Sequence, residues 1–435
     1  MLLAATGFIM IGLLMFFLLK SKAMPMTLFV ILPIIGALVN GFGLADLITF
    51  ITKGVSTTWR MAALFVFVIT YFGIMTDVGL FDRLVRKLIK LAGKHILAIF
   101  IVVEIVSILG HLDGNSPTTY MITIPALLPL CKKLHIRIQA IMLECCATIT
   151  VMNLVPWGGV VNRQAIVLGM DSSLLWKAYL PMQLFGLLLC FVLAFILAKV
   201  ESRHAEKFIQ SVEKPSSNEI SEETQTNSLA RPQYLLFNFL LTVLVFVLLF
   251  TTKLPNYFVF MLGDVIALSV NYPNVKEQEE RLKAHAPAVI SLVATVLSAG
   301  VMVGVLNNTG MIVSMATAII NVLPGFLNAH LHLVFAFIGG FLGLAVSPDP
   351  LYYGILPVLI KVCEQYGVPA QSVAIAFGIG ADSCFTLAPV IASTYLGLAV
   401  SGLELKDHMK FSFFPLWIIG LLMIAFGCII GSIKM

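Results

Sequence analysis

Apolar segments close to the length of a membrane-spanning helix recur along the chain, and they constrain its fold more than any other feature. Clear examples cover residues 2–19, 61–75, 174–198 and 235–250, and a helical span needs about 20 apolar residues. Only 11% of the residues are charged and 59% are apolar, whereas a typical soluble domain has about 25% charged residues. The sequence therefore predicts an all-α polytopic protein that crosses the cell (inner) membrane many times.

The basic residues lie in short loops between the apolar segments. Positive loops mark the cytoplasmic side of a membrane protein. We therefore attribute the net charge of +5 to membrane topology and not to a nucleic-acid partner. Residues 81–93 alternate apolar and basic side chains, which is typical of a helix that lies on anionic lipid. The seven cysteines lack the spacing of a metal site, and we expect buried thiols.

Two segments are predicted to return to the side of the membrane that they leave. Residues 94–132 join two basic loops and contain a polar stretch with Gly and Pro at residues 111–117. The second segment, residues 328–361, surrounds a similar stretch at residues 347–350. We interpret both as re-entrant hairpins, which leaves about ten full crossings if every basic loop is cytoplasmic.

The two halves of the chain resemble each other when the sequence is shifted by roughly 230 residues. Ser116-Pro117 then matches Ser347-Pro348, and Asn153-Leu154-Val155-Pro156 matches Thr386-Leu387-Ala388-Pro389. Each half holds about five crossings and one hairpin, so the second half is expected to be inverted, as in secondary transporters. The predicted parts are an N-terminal repeat (residues 1–200), a hydrophilic cytoplasmic linker (201–231) and a C-terminal inverted repeat (232–435).

Four polar interruptions of the apolar segments are the candidate binding region. They are the hairpin tips at residues 113–117 and 347–350 and the broken helices at residues 153–159 and 378–389. In transporters built from repeats, such breaks lie near the midplane and leave backbone groups free to coordinate a substrate. Helix N-termini at a break suit carboxylates, and acidic side chains suit a cation.

Asp113 and Asp349 lie at the two matched hairpin tips and are the predicted metal-binding residues, because a carboxylate at membrane depth needs a partner. The alternative is that each caps the helix that follows. Arg163 either pairs with a substrate carboxylate or with Glu144, Asp113 or another buried acid. The remaining candidate substrate-binding residues are Gly114, Asn115, Ser116, Thr118, Thr119, Asn153, Trp157, Gly158, Gly159, Ser347, Ser383, Thr386, Ser393 and Thr394.

Each hydroxyl in that set has the alternative of bonding a helix carbonyl. Four further acids, Asp77, Glu104, Glu144 and Asp382, are candidates for a proton relay, with an interface or structural role as the alternative. His111, beside the first tip, could titrate near neutral pH, but a single histidine is weak support for a relay.

These motifs resemble the citrate-metal-proton symporter (CitMHS) family, within the ion transporter superfamily, over nearly the whole chain. The resemblance is carried by the segments Tyr71-Phe72-Gly73-Ile74-Met75-Thr76-Asp77-Val78-Gly79-Leu80-Phe81-Asp82, Leu112-Asp113-Gly114, Thr118-Thr119-Tyr120-Met121-Ile122-Thr123-Ile124, Val151-Met152-Asn153-Leu154, Pro156-Trp157-Gly158-Gly159, Asn271-Tyr272-Pro273-Asn274, Tyr352-Tyr353-Gly354, Leu356-Pro357-Val358-Leu359 and Ser393-Thr394-Tyr395-Leu396.

The resemblance implies symport of citrate, complexed with a divalent metal ion, with protons as the coupling ion and no permanently bound cofactor. The superfamily often forms dimers, so a homodimer is also an expectation. The chain departs from the family pattern at Gly380-Ala381-Asp382-Ser383 and at Ala392, which keeps a proton- or sodium-coupled transporter of another di- or tricarboxylate as the alternative.

Other classes fit the sequence less well. The order Gly378-Ile379-Gly380-Ala381-Asp382 is one residue too long for the Gly-x-Gly-Asp motif of an intramembrane aspartyl protease, and no other catalytic motif accompanies it. We therefore expect no enzyme activity. A channel is disfavoured because repeated hairpins and mid-membrane breaks suit alternating access better than a continuous pore.

Overall fold

The computed structural model describes residues 2–20, 23–80, 82–93, 95–211, 229–252, 254–389 and 391–435, and these are helical with no β-strand among them. The prediction of an all-α polytopic membrane protein is confirmed. Within the described residues, six helices are long and apolar enough to cross a membrane: Leu44–Asp77, Ser172–Glu206, Pro232–Leu249, Val275–Asn308, Ala370–Leu387 and Leu405–Ile429.

The helices follow one order along the chain. In the first half they are α1 (Leu2–Leu19), α2 (Pro25–Val39), α3 (Leu44–Asp77), α4 (Asp82–Ala92), α5 (Ile96–Gly110), α6 (Ser116–Lys133), α7 (Ile138–Met152), α8 (Gly159–Leu168) and α9 (Ser172–Ser211). In the second half they are α10 (Leu235–Thr251), α11 (Asn256–Asn271), α12 (Val275–Asn308), α13 (Met311–Val322), α14 (Gly325–Ala329), α15 (Leu331–Ala345), α16 (Leu356–Glu364), α17 (Ala370–Asp382), α18 (Ala392–Ser401) and α19 (Leu405–Ile429).

The two halves contain matching elements in the same order. The long helices α3 and α12 have 34 residues each. Each is followed by a hairpin of two helices (α5 and α6, α15 and α16), an interrupted helix (α7 and α8, α17 and α18) and a last long helix (α9, α19). This order agrees with an internal repeat, whereas the inversion of the second half across the membrane stays a prediction.

Two segments predicted from composition lie partly outside the described residues. Helix α9 continues to Ser211, so residues 201–211 of the expected linker are helical, and residues 212–228 are outside the described part of the chain. The expected surface helix at residues 81–93 corresponds to α4, which covers Asp82–Ala92; Phe81 is not described.

Helices α3 and α12 pack against each other along much of their length, and glycine allows their backbones to touch. A Cβ atom added to Gly54 of α3 would lie 2.0 Å from the carbonyl oxygen of Gly300 and 2.8 Å from Cα of Gly304, both in α12. Small residues permit such close crossings of membrane helices. Helices in lipid associate through van der Waals contact, since no hydrophobic driving force acts between them. The α3–α12 pair therefore depends on Gly54 having no side chain.

We predict that Gly54→Ala destabilises the protein, because the methyl group meets a backbone atom that cannot move alone, and such overpacking costs about 1–3 kcal/mol. The midpoint of thermal unfolding in detergent should fall. Gly12→Ala in α1 is the matched control, since nothing lies within 4 Å of a Cβ at that helical glycine. An unchanged midpoint for Gly54→Ala would contradict a tight crossing.

Candidate functional site

The structure contains all four predicted interruptions. Residues 111–115 separate α5 from α6, residues 346–349 follow α15, and residues 153–158 separate α7 from α8. The fourth begins later than predicted, because residues 378–382 still belong to α17, which ends at Asp382. Proline interrupts a helix by removing a backbone donor, and in this segment the first proline is Pro389, so the helix keeps its bonds as far as Asp382.

A buried chain of polar side chains joins three of these interruptions. The Oγ1 atom of Thr119 lies 2.9 Å from Nδ1 of His111, and Nε2 of His111 lies 3.4 Å from Oδ1 of Asn153. The Asn153 amide donates in turn to Asp382, with Nδ2–Oδ1 and Nδ2–Oδ2 distances of 3.1 and 3.3 Å. All four residues are buried. The chain thus links the first hairpin and both broken helices.

The orientation of the Asn153 side chain determines which groups donate and which accept along this series of polar side chains. Because its nitrogen faces the carboxylate of Asp382, its oxygen faces His111 and can only accept, so Nε2 of His111 is the donor. A neutral His111 then accepts from the Thr119 hydroxyl through Nδ1. Sequence analysis gave His111 little weight, and the structure places it at the centre of the polar chain.

Arg163 of α8 and Asp349 of the second hairpin form an ion pair. Nε of Arg163 donates to Oδ1 of Asp349 over 2.8 Å, and Nη1 donates to the Gly159 carbonyl over 3.0 Å. Their side chains are 22% and 13% exposed, so the pair is partly accessible. Of the partners left open for Arg163, the structure selects an acid other than Glu144 or Asp113.

Asp113 is bonded differently from Asp349, although both lie at hairpin tips. Its Oδ1 accepts the backbone N–H of Asn115 over 2.7 Å, which is a turn bond just before α6. Asn115 is the N-cap residue of α6, and its side chain makes no capping bond. Asp113 is therefore bonded within its own tip without the contact of a capping aspartate, whereas Asp349 forms an ion pair with another element.

Trp157 fixes the tip of the first hairpin to the first broken helix. Its Nε1–H donates to the carbonyl of Leu112 over 2.7 Å, and its ring packs edge-to-face on Phe260 of α11 with 5.2 Å between centroids. Gly114 adopts a φ of +71°, where a side chain would be strained. The indole therefore holds a turn that already depends on glycine.

Several other candidate hydroxyls bond backbone carbonyls that are close in the chain. Ser383 donates to the Gly380 carbonyl at the end of α17 over 2.8 Å, and Thr394 of α18 donates to the Thr386 carbonyl over 3.2 Å. Both bonds agree with the alternative predicted for these hydroxyls, a bond to a backbone carbonyl. Thr386 is itself buried. The candidates that stay partly exposed beside the tips are Gly114, Asn115, Thr118, Ser347 and Ser393.

The four proton-relay candidates lie in different places. Asp77, at the end of α3, contacts His285 at 3.0 Å and Arg281 at 3.5 Å on α12, which is an interface role. Glu104 accepts from Thr148 over 2.5 Å and lies beside Glu144, both fully buried between α5 and α7. Of the four, Asp382 belongs to the polar chain at the interruptions.

Gln164 and Tyr179 support the same region but were missed by sequence analysis. The side-chain amide nitrogen of Gln164 donates to the backbone carbonyl of Ala374 in α17 over 2.7 Å. The Tyr179 hydroxyl of α9 donates to the side-chain oxygen Oε1 of Gln164, also over 2.7 Å. The Gln164 side chain could have been noticed in the sequence, because a polar group inside a membrane helix requires a partner.

Two helical hairpins and two broken helices that converge on buried polar groups define this protein as a multi-pass membrane transporter, and not as an enzyme. A family model described as citrate transporter (CitMHS) matches residues 6–380. The chain belongs to this family, as the resemblance of its motifs predicted.

Curated relatives agree with this assignment. The chain is 34% identical over 410 residues to a citrate transporter of Bacillus subtilis (strain 168), with 94% of each chain covered. It is 31% identical over 432 residues to a Mg²⁺/citrate complex secondary transporter of the same organism, with 99% of each chain covered.

Solved structures share the fold. MtrF of Neisseria gonorrhoeae superposes with a TM-score of 0.60 at 15% identity, covering 89% of this chain and 85% of that chain. The YdaH transporter of Alcanivorax borkumensis gives a TM-score of 0.58 at 12% identity, covering 88% of each chain. At these identities the likeness concerns the fold alone.

We predict that Trp157→Phe loosens the first hairpin tip while keeping its aromatic packing, because only the N–H donor to Leu112 is lost. A neutral hydrogen bond contributes about 0.5–1.5 kcal/mol. The measurement is maleimide labelling of a cysteine introduced at the exposed Asn115, which should become faster in the Trp157→Phe background.

Trp417→Phe is the matched control, because Trp417 makes the same kind of bond, 2.8 Å to the Phe337 carbonyl, beside α15. Labelling at residue 115 should not respond to it. Equal labelling rates with and without the Trp157 N–H would show that the indole bond does not hold the tip.

Proposed function

We propose that this protein is a secondary active transporter that carries citrate, complexed with a divalent metal ion, across the membrane together with protons. The observation that supports this substrate most directly is the pair of opposite charges, Arg163 and Asp349, accessible at the tip of the second hairpin. A guanidinium suits a substrate carboxylate, and a carboxylate suits a hard divalent cation. Similarity to a Mg²⁺/citrate complex transporter supports the same assignment.

A free trivalent citrate ion fits this pair less well than a metal complex. Asp349 stands 2.8 Å from the guanidinium that would receive the substrate, so a bare anion at Arg163 would also meet the negative charge of Asp349. A bound metal ion reverses that interaction and gives Asp349 a partner. The remaining substrate-binding candidates at the tips would then bond the other oxygens of the complex.

The matching halves suit alternating access. In the proposed arrangement, residues 1–200 and 232–435 are inverted repeats joined by the linker at residues 201–231, and the hairpins and broken helices move the site between the two sides. A homodimer remains part of the proposal, as an expectation from the superfamily.

Asp382 is the proposed proton-carrying residue. Its carboxylate accepts from the Asn153 amide and lies close enough to Arg163 to feel its charge, so it connects the polar chain with the ion pair. A substrate that binds Arg163 changes the field at Asp382, which gives a physical link between substrate and proton binding. Asp77 and Glu104 have hydrogen-bond partners away from this connection, and Glu144 is buried in α7 beside Glu104 of α5.

The experiment is uptake of radiolabelled citrate by proteoliposomes under an inward proton gradient, with Mg²⁺, Ca²⁺, Zn²⁺ or EDTA. We expect accumulation that requires one of the metals and disappears with EDTA or when the gradient is dissipated. Accumulation that ignores the metal would instead support the alternative, a proton- or sodium-coupled transporter of another di- or tricarboxylate, for which sodium and competing acids are then tested.

We predict that Asp382→Asn abolishes accumulation driven by the proton gradient but leaves exchange of external for internal citrate measurable, because an amide cannot take up the coupling proton. The measurement compares the two modes of uptake in the same vesicles. Asp264→Asn is the control: Asp264 is another buried aspartate, which accepts from Thr70 over 2.7 Å in the α3–α11 contact. Gradient-driven accumulation by Asp382→Asn would remove Asp382 from proton coupling.

A further inference from the structure

The ion pair between Arg163 and Asp349 is incompletely bonded. One hydrogen bond joins the two side chains, from Nε to Oδ1, and Nη1 bonds the Gly159 carbonyl. Among the described residues, Nη2 of Arg163 and Oδ2 of Asp349 have no hydrogen-bond partner. Each charged group therefore keeps one atom that is available to bond a ligand.

A second ion pair shows what a structural one looks like in this protein. Arg137 binds Glu201 through Nε at 2.8 Å and Nη2 at 2.6 Å, and its backbone N–H donates to the same carboxylate over 2.9 Å. Glu201 is fully buried, and both of its oxygens are used. The Arg163–Asp349 pair lacks this second bond, and the Asp349 side chain is 13% exposed whereas the Glu201 side chain is fully buried, so this pair is the more easily separated of the two.

The backbone beside Asp349 also differs from the backbone of the first hairpin. A π-helical turn, Pro350–Ile355, follows Asp349 directly, whereas the first tip continues into the regular helix α6. Single π-helical turns are wider than α-helical ones and frequently occur at functional sites. The carboxylate of Asp349 is therefore carried by the less regular of the two tips.

We propose, building on the function above, that the metal–carboxylate substrate binds by exchange with this ion pair. The metal ion binds the Asp349 carboxylate, and a substrate carboxylate binds the Arg163 guanidinium. The bond between the two side chains is thus replaced by two bonds to the complex. The ion pair then acts as a specificity device that accepts the complex and rejects its separate components.

The rejection follows from what each component leaves unpaired. Citrate alone at Arg163 separates Asp349 from the cation that it pairs with among the described residues and places a trianion beside it. A metal ion alone at Asp349 leaves the guanidinium of Arg163 without an anion. Leaving one buried charge without its partner is strongly unfavourable, and specificity can rest on such penalties as well as on new contacts. Only the complex satisfies both side chains at once.

The test is equilibrium binding of radiolabelled citrate to the purified full-length protein in detergent, with Mg²⁺ or with EDTA. The quantity compared is the ratio of citrate affinities in the two conditions. We expect a large ratio for the unaltered protein and a fall of at least about tenfold, one decade of affinity, in Asp349→Asn. This fall includes tighter binding of free citrate than in the unaltered protein, because the repelling charge has gone.

The double variant Arg163→Gln/Asp349→Asn separates exchange from a purely structural pair. It leaves neither charge unpaired, so it keeps the test valid if a single variant fails to fold. A structural pair replaced by two amides should restore metal-dependent citrate binding, and that result would overturn the proposal. If the complex binds by exchange with the ion pair, the double variant binds citrate weakly and its affinity does not depend on the metal.

Glu364→Gln is the matched control, since the Lys361–Glu364 pair joins α16 residues that are exposed. The ratio should be unchanged in this variant. A large metal dependence in the unaltered protein that persists in Asp349→Asn would refute exchange and leave the proposed function intact. An unaltered protein that shows no binding of citrate with any divalent metal would instead refute the proposed function itself.

Discussion

The structure depends on one constraint: within a bilayer, every backbone polar group must find its partner inside the protein. An uninterrupted helix meets this condition alone, but the interruptions at residues 111–115, 153–158 and 383–389 cannot. Side chains from elsewhere supply the missing bonds, as when Trp157 donates to the Leu112 carbonyl and Thr394 donates to the Thr386 carbonyl. The breaks are therefore possible only where several helices converge. The same convergence encloses a region rich in polar groups, and for this reason the most irregular part of the chain coincides with the candidate site.

The two hairpins show how one repeated motif can take two roles. Asp113 is bonded within its own tip, where it accepts the backbone N–H of Asn115. Asp349 bonds across to Arg163 of another element. A carboxylate that is satisfied locally moves with its own segment, whereas one that is satisfied at a distance couples two segments. Sequence symmetry at the tips thus coexists with functional asymmetry, which the proposed site requires because a metal–citrate complex has different charges at its two ends.

Much of the fold could be predicted, because its signals are local. Segment 2–19 coincides with α1, and Pro, with Gly at three of the four places, marked both tips and both broken helices. The fourth break was placed too early, since it was predicted from Gly378 onward whereas α17 continues to Asp382. Glycine there allows α17 to approach α15: a Cβ at Gly380 would lie 2.2 Å from the Ala336 carbonyl oxygen. The partners within the site could not be predicted, since Asn153 and Asp382 are 229 residues apart and Arg163 and Asp349 are 186 apart. No local sequence pattern indicates which distant residue bonds a given polar group. For the same reason, the role of His111 is evident only from its contacts with Thr119 and Asn153 in the structure.

The low dielectric of the site joins these features into one mechanism. Charges in such surroundings interact strongly and over longer distances than in water, so Arg163, Asp349 and Asp382 cannot be treated separately. Arg163 bonds Asp349 directly and acts on Asp382 through space. If the substrate complex draws Arg163 and Asp349 apart, the field at Asp382 changes, although among the described residues Asp382 is hydrogen-bonded to the Asn153 amide and not to Arg163. Substrate and proton would then be coupled through a shared arginine, without a continuous path of proton-carrying groups between their sites.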